Sequence, residues 1–600
     1  MEFQPMTACL VPRRDLDFVL FELLDLERLC ARERFADHSP ETFAGAIDSA
    51  FAIAEERFAP HNQQGDADEP RVVDGRVVLI PQVREAVQAF AQAGFIAAAQ
   101  DEAVGGMQLP FSIAMACWGA FKSANIATET YASLAIGVAN LLRDHGTPGQ
   151  VRRYLAPLLE GRWLGTMVLT EPQAGSSLAD IRSTATPRAD GTYSIRGQKV
   201  FITAGDHELT DNIVHMVLAR LPDAPPGTKG ISLFLVPKRH VNQDGSAGEN
   251  NDVRLTGLIH KMGCRGTTSA MLNFGEHGDC IGELVGRPNE GLACMFDMMN
   301  EARVNVGMCA SMLGIAGYRH SLAYARERIQ GRDGQGRRAA IIEHADVKRM
   351  LLSQKAVVEG ALALCLYGAS LADEEKTAPR ETARAEARAL LGLLTPVIKS
   401  WPSKYCVEAN ADAIQVLGGY GYTRDYPLEQ IYRDNRLNAI HEGTNGIQSL
   451  DLLGRKVMAD GGGGIELLGR EMDETAAQAR AIGRSELHDF ADALSNAFTA
   501  LRGTTQALAE TMAREPQRAL ANSSVYQDAF GHTVIAWLWL RQAVVAAAAL
   551  DAGSSDGDFY EGKLAAARYC FHWMLPTTQP SHALLRRLDT TCASAQPAWF

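Results

Sequence analysis

The chain has 600 residues, 71 of them acidic and 58 basic, for a net charge of −13, with 46% hydrophobic and 22% charged positions. That length exceeds one compact core, so two to four folding units are expected in a globular protein of ordinary composition. The acidic balance argues against nucleic-acid binding and against docking on or inserting into an anionic membrane, and eleven cysteines without a C-x-x-C pair read as reduced thiols in the cytoplasm, with no metal-ligand spacing.

The opening stretch, MEFQPMTACLVPRRDLDF, lacks an apolar core of signal-peptide length. Residues 16–160 are predicted to be helical. Ser39-Pro40-Glu41 supplies an N-cap, a proline at the first helical position and an acid in the first turn; Phe43, Ile47, Phe51, Ala54 and Phe58 then share a face. A second helix is predicted from about residue 81 to 94, a loop over 100–110, and a long apolar helix from near Ser112. Thr147-Pro148-Gly149-Gln150 has the capping-box pattern. Beyond Arg162 the runs 163–169, 192–196, 213–219, 231–236 and 270–274 are β-branched or alternating, with a hairpin turn at Asp190-Gly191 and a polar surface loop over 242–252. Such strands, without helices between them, predict a small antiparallel barrel or sandwich. Helical periodicity returns at 291–329, 344–374 and 380–418, lengths that suit an antiparallel bundle. The tetraglycine 461–464 reads as a linker before Ala-rich helices over 466–550, where the apolar run 534–550 is broken by Arg541 and is too short for a bilayer. The expected class is α+β, mainly α: an N-terminal helical domain (1–160), a small antiparallel β-barrel domain (161–280), a four-helix-bundle domain (281–460) and an additional C-terminal helical domain (465–600).

Chemistry concentrates in residues 432–456, YRDNRLNAIHEGTNGIQSLDLLGRK. Glu442 lies between an extended apolar approach (Leu437, Ala439, Ile440) and a new helix. Gly443 and Gly446 permit positive φ, Thr444 or Asn445 can cap, and Ile447, Leu450, Leu453 and Val457 recur at helical spacing. A carboxylate on a bend ahead of a helix can reach into a cleft; the plain alternative is a solvated acid favoured by the helix N-terminus. LTEPQAGS (169–176) closes a strand and turns sharply, offering backbone N–H groups and two hydroxyls to an electron-rich ring, although a simple strand-ending turn explains it as well. FITAG (201–205) is a second strand end with an aromatic and a hydroxyl. Arg303 sits in a helix among Met295, Phe296, Met299 and Val304, either as a buried salt-bridge partner or as a holder of an anionic or adenine-bearing group. Arg328 and Gln330 end that helix before Gly331, and QVLGGYGY (415–422) closes another with three glycines that allow close backbone approach. No G-x-G-x-x-G follows a strand, which disfavours a Rossmann fold.

Together, in this order and spacing, LTEPQAGS (169–176), FITAG (201–205), KMGCRGTTS (261–269), NEAR (300–303), RERIQG (326–331), QVLGGYGY (415–422) and IHEGTNGIQ (440–448) resemble the acyl-CoA dehydrogenase family over roughly residues 40–458. The length, the EGTNGIQSLDLLGRK ending and the extra helical domain resemble its branch with methylmercaptopropionyl-CoA dehydrogenase and broad-range fatty acyl-CoA dehydrogenases. The resemblance implies FAD-dependent dehydrogenation of a fatty acyl-CoA to trans-2-enoyl-CoA, as in fatty-acid β-oxidation, with electrons passed to an electron-transfer flavoprotein. An oxygen-using acyl-CoA oxidase and, more remotely, a flavin-containing DNA-repair relative are the alternatives. Glu442 matches the catalytic base, and its backbone N–H the group that polarises the thioester carbonyl, with Gly443 beside it at the substrate. Leu169, Thr170 and Thr203 match flavin contacts, Ser176 a position near flavin and CoA, Thr444 one near the FAD pyrophosphate, and Arg303 one near the CoA or acyl end. Arg328, Gln330, Gln415 and Gly419 match positions that reach the FAD of a neighbouring subunit, which implies a homodimer. The chain departs from the pattern at Ser177 (usually Asp), Phe201 (often Trp) and His441 (commonly Tyr), and lacks the Phe expected after Gln330. Some relatives carry the base on the bundle helix; Ala302 holds that place here, with Glu301 adjacent.

Overall fold

The computed structural model describes residues 10–600, apart from the side chains at 296–299 and 460; the opening stretch with Cys9, and Phe296 and Met299 near Arg303, lie outside the described residues. The chain divides into two compact units, one built on Asp37–Ala302 and the other on Val11–Ala36 with Arg303–Phe600.

In the first unit Ser39 caps α1 (Pro40–Ile53) by accepting from Thr42 N. Phe43, Ile47, Ala54 and Phe58 are fully buried. Helix α2 (Pro81–Gln92) and α3 (Phe111–His145) close on this face. Phe58, Phe90 and Phe121 meet with ring centroids 4.7 to 6.3 Å apart. Within 16–160 the chain also makes an exposed hairpin, Arg71–Val73 with Arg76–Val78, because Asp74 and Gly75 take positive φ. Eight strands follow: β1 (Trp163–Val168), β2 (Thr184–Pro187), β3 (Tyr193–Thr203), β4 (Asn212–Arg220), β5 (Ile231–Pro237), β6 (Val253–Leu258), β7 (Ser269–Phe274) and β8 (Cys280–Val285). They form one sheet in the order β6-β7-β3-β8-β5-β4-β1, and β2 pairs with both β3 and β4, so β3-β8-β5-β4-β2 is a closed ring. Its pairs are antiparallel except β1 with β4 and β2 with β4. Val168, Ile195, Val217, Phe234, Leu272 and Phe274 fill the interior. The stretch 242–252, expected to be loop, contains the strand Ala247–Asn250 paired with Arg239–Val241; turn chemistry at Asp244-Gly245 makes a surface hairpin from polar residues.

In the second unit α4 (Gly291–Glu327), which carries the unit boundary after Ala302, is followed by α5 (Ala345–Thr377) and α6 (Glu381–Leu417). Small residues set the α4–α6 approach: a Cβ at Gly307 would lie 2.2 Å from Ile398 O. Gln330 does not end α4; it sits in a short exposed strand, Ile329–Arg332, paired with Arg338–Ala340, because Gly331 and Gly336 with positive φ turn the chain back. Then come α7 (Leu428–Arg436), α8 (Asn445–Asp451), α9 (Gly463–Ala481), α10 (Ser485–Met512), α11 (Ser523–Asp551) and α12 (Gly557–Tyr569). Helices α5 and α11 are long and apolar enough to cross a membrane by length and composition, but their most apolar windows are 100% and 67% buried in the protein. Segment 11–36 joins this unit through Lys563, which is wholly buried and donates to Asp15 and Glu359 at 2.8 Å each.

Candidate active site

In the first unit, strand β1 runs into the turn 169–176, organised by Glu171. Its carboxylate accepts from Gln173 Nε2, Arg182 N, Ser183 N, Ser183 Oγ and Lys199 Nζ at 2.6–3.0 Å. Burial alone would raise Glu171; Lys199 and these donors outweigh it and bring its pKa down to about 2. Leu169 O also accepts from Lys199. Thr170 O accepts from Val200 N at 3.0 Å, which sets Thr170 alongside β3 just before Thr203. Both threonines are half-buried, and neither hydroxyl has a hydrogen bond among the described residues. Phe201 (φ 58°) and Ala204 (φ 52°) break the strand end, and the Phe201 side chain is 63% exposed. Ser176 is exposed on the same turn. Unpartnered hydroxyls and an open aromatic face fit a planar heteroaromatic group bearing carbonyl and nitrogen acceptors.

In the second unit α7 continues through the 3₁₀ turn Leu437–Ala439 to Ile440, still right-handed at φ −110°, ψ −52°, so the approach to Glu442 is helical rather than extended. Amides hold it: Asn435 Nδ2 donates to Asn410 Oδ1 (2.7 Å), Asn438 Nδ2 to Asn435 Oδ1 (3.1 Å), and the His441 ring nitrogen lies 3.1 Å from Asn438 Oδ1. The reversal falls on Glu442 (φ 51°) and Gly443 (φ 83°). A left-handed glutamate is strained, and its persistence shows that the surroundings over-determine it. Buried Gln448 provides that constraint, Nε2 donating to Glu442 O at 3.1 Å and Gly443 O at 3.4 Å. Thr444, not Asn445, caps α8 by accepting from Ile447 N.

Glu442 is exposed at the surface, although protein atoms crowd around its carboxyl. That crowding raises its pKa, with Lys399 and then Arg303 opposing. Lys399, buried in α6, is brought down to about 7 by burial, partly offset by Glu442. Arg303 is buried with Nη1 on Asp451 Oδ2 at 2.8 Å, leaving Nε without an acceptor among the described residues. Ile440, Ile447 and Leu450 on the bend and on α8 are exposed, apolar surface next to a basic carboxylate. A second cluster joins the ends of α4 and α6: Arg328 Cζ lies 5.8 Å from the Tyr420 ring centroid, Gln415 is exposed, and a Cβ on Gly418 or Gly419 would meet nothing within 4 Å. Glu301, the alternative base, belongs to the first unit and accepts from Asn140 Nδ2 at 2.9 Å, its charge helping to hold Arg143.

Sequence reasoning did not single out Lys399, Gln448, Asp451 or the role of Glu171. Lys399 carried a signal, a lone cation in the apolar run LLTPVIKSW; the others are ordinary helix or turn residues until the fold supplies their partners.

The order of helices, closed sheet and helical bundle is that of a known class. Models of the acyl-CoA dehydrogenase N-terminal, middle and C-terminal domains match residues 45–162, 166–276 and 289–458, and an acetyl-CoA dehydrogenase C-terminal-like domain matches 468–596. The 3-methylmercaptopropionyl-CoA dehydrogenase of Ruegeria pomeroyi is 36% identical over 93% of this chain and 94% of its own. The broad-specificity linear acyl-CoA dehydrogenase of Mycobacterium tuberculosis is 35% identical over 98% of this chain and 99% of its own. An acyl-CoA dehydrogenase of Bacillus anthracis, solved with FAD, shares the fold at TM-score 0.75 and 18% identity, covering 93% of this chain and 90% of that one. The chain belongs to the acyl-CoA dehydrogenase family, and it is an oxidoreductase.

Proposed function

We propose that this enzyme removes two hydrogens from the Cα–Cβ bond of a linear fatty acyl-CoA thioester, giving a trans-2-enoyl-CoA, with FAD as cofactor and an electron-transfer flavoprotein as electron acceptor. The observation that carries the reading is Glu442: a carboxylate with raised proton affinity, fixed at positive φ and flanked by exposed Ile440, Ile447 and Leu450. Its Oε atoms take the α-proton. An α-proton of a thioester is too weakly acidic for an ordinary carboxylate, so the base is helped by a higher pKa and by donors at the developing enolate oxygen; the Glu442 backbone N–H is one such donor. Bound FAD supplies the acceptor for the β-hydride. Leu169, Thr170, Thr203 and Ser176 hold its ring side, and Thr444 its pyrophosphate. Arg303, through the Nε that has no acceptor among the described residues, and Gly443 contact the acyl-CoA. Full-length similarity to the linear acyl-CoA and methylmercaptopropionyl-CoA enzymes supports an unbranched chain.

The experiment is Glu442→Gln. The variant is expected to stay yellow and to bind acyl-CoA, while anaerobic bleaching by linear acyl-CoAs slows at least about 100-fold, the scale of losing a positioned general base. Bleaching at the wild-type rate would remove Glu442 from the reaction.

A further inference from the structure

Lys399 sits mid-way along α6 with no accessible surface. A fully buried ammonium normally has a carboxylate or several oxygens around it. This one has a single hydrogen bond, to Asn445 Oδ1 at 3.5 Å, and no ion pair among the described residues. Asn445 follows Glu442 by three positions, and Thr444 caps α8 in its stead. The charged and titratable groups that influence this point are Glu442 and His441 on the bend and Arg303 from α4, with Asp451 and Lys456 beyond Arg303. Arg303 is engaged by Asp451 at 2.8 Å. Lys399 is therefore the cation left for Glu442, and it acts on that carboxyl more strongly than Arg303 does.

We propose that Lys399 is a positioning residue for the base: its ammonium anchors the bend through Asn445 and keeps the Glu442 carboxylate ionised and ready for the α-proton. This rests on the reading of Glu442 as the base. Because Lys399 and Glu442 influence each other, they titrate as a pair. The ammonium opposes the crowding that raises Glu442, so removing the lysine shifts that carboxyl further toward its protonated, inactive form.

The test compares the FAD-loaded full chain as wild type, Lys399→Met, Lys399→Gln and Lys399→Arg in the pH dependence of kcat/KM, which reports the free enzyme. The probe is the linear saturated acyl-CoA that bleaches wild type fastest. In the Met variant the acid limb is expected to move up by about one unit, an approximately tenfold loss below both midpoints that closes at higher pH. The Arg variant keeps the wild-type limb. The Gln variant reads the same quantity if the Met variant fails to retain FAD. An unmoved acid limb, or a loss by one factor at every pH, overturns the proposal. Glu442→Gln separates the two claims: if that variant is inactive while the limb stays unmoved in the Lys399 variants, the base stands and only the role of Lys399 is removed.

Discussion

Glu171 touches no reacting carbon in the proposed chemistry, yet five donors converge on it and it neutralises Lys199, whose side chain has no accessible surface. Its folded pKa of about 2 lies below the ordinary 4.5. A depressed carboxylate contributes stability that is present above its unfolded pKa and fades as pH falls toward the folded one. The share owed to Glu171 is therefore full at neutral pH and lost between about 4.5 and 2. Glu171→Gln should cost about 3 kcal/mol at neutral pH, since it leaves a buried ammonium unpaired. Urea unfolding repeated down the pH scale should show the gap to wild type closing toward pH 2; a variant as stable as wild type at pH 7 would refute this role. The chain reversal at Glu442 and Gly443 was legible at this scale because Gly-Thr-Asn-Gly is a local signal. Lys199 and Asp451 were not, because a buried charge is recognised by its partner, and those partners lie 28 and 148 positions away.

Among elements, the long helices followed from their apolar period: 291–329, 344–374 and 380–418 against Gly291–Glu327, Ala345–Thr377 and Glu381–Leu417. Strands β2, β6 and β8 escaped because each is short and carries Thr, Arg, Gly or Glu on its outward positions, so alternation is weak. Yet β2 is the strand that closes the ring. It approaches β3 closely at Gly197, where φ is 156° and a Cβ would stand 2.2 Å from Ser183 Oγ and 2.9 Å from Ser183 Cα. Ser183 also binds Glu171, so barrel closure and the 169–176 turn share one contact. Gly197→Ala should destabilise the first unit by about 2 kcal/mol through overpacking and backbone strain. Melting followed by circular dichroism and by flavin release should show both falling together. Loss of one without the other would uncouple closure from the turn.

At the scale of the whole chain, the succession of helices, β structure and helices was readable from changes of period. The return of segment 11–36 to the later unit was not, since it depends on Asp15 meeting Lys563, 548 positions away. The second unit also exposes Ile329, Tyr420 and Tyr422, the last at 90%, beside Arg328 and Gln415 and a Gly418–Gly419 turn with open space before it. Apolar and aromatic side chains clustered on one exposed face mark a surface that binds something. If these residues reach the FAD of a second copy, cofactor retention and association are linked, because a ligand held by two chains stabilises the pair by mass action. Arg328→Glu places a carboxylate where the wild type offers a cation to an anionic cofactor. Light scattering with flavin absorbance should then show monomers depleted of FAD, and excess FAD should restore both dimer and absorbance in the milder Arg328→Lys. A dimeric Arg328→Glu protein with one FAD per chain would place these residues outside any cofactor contact.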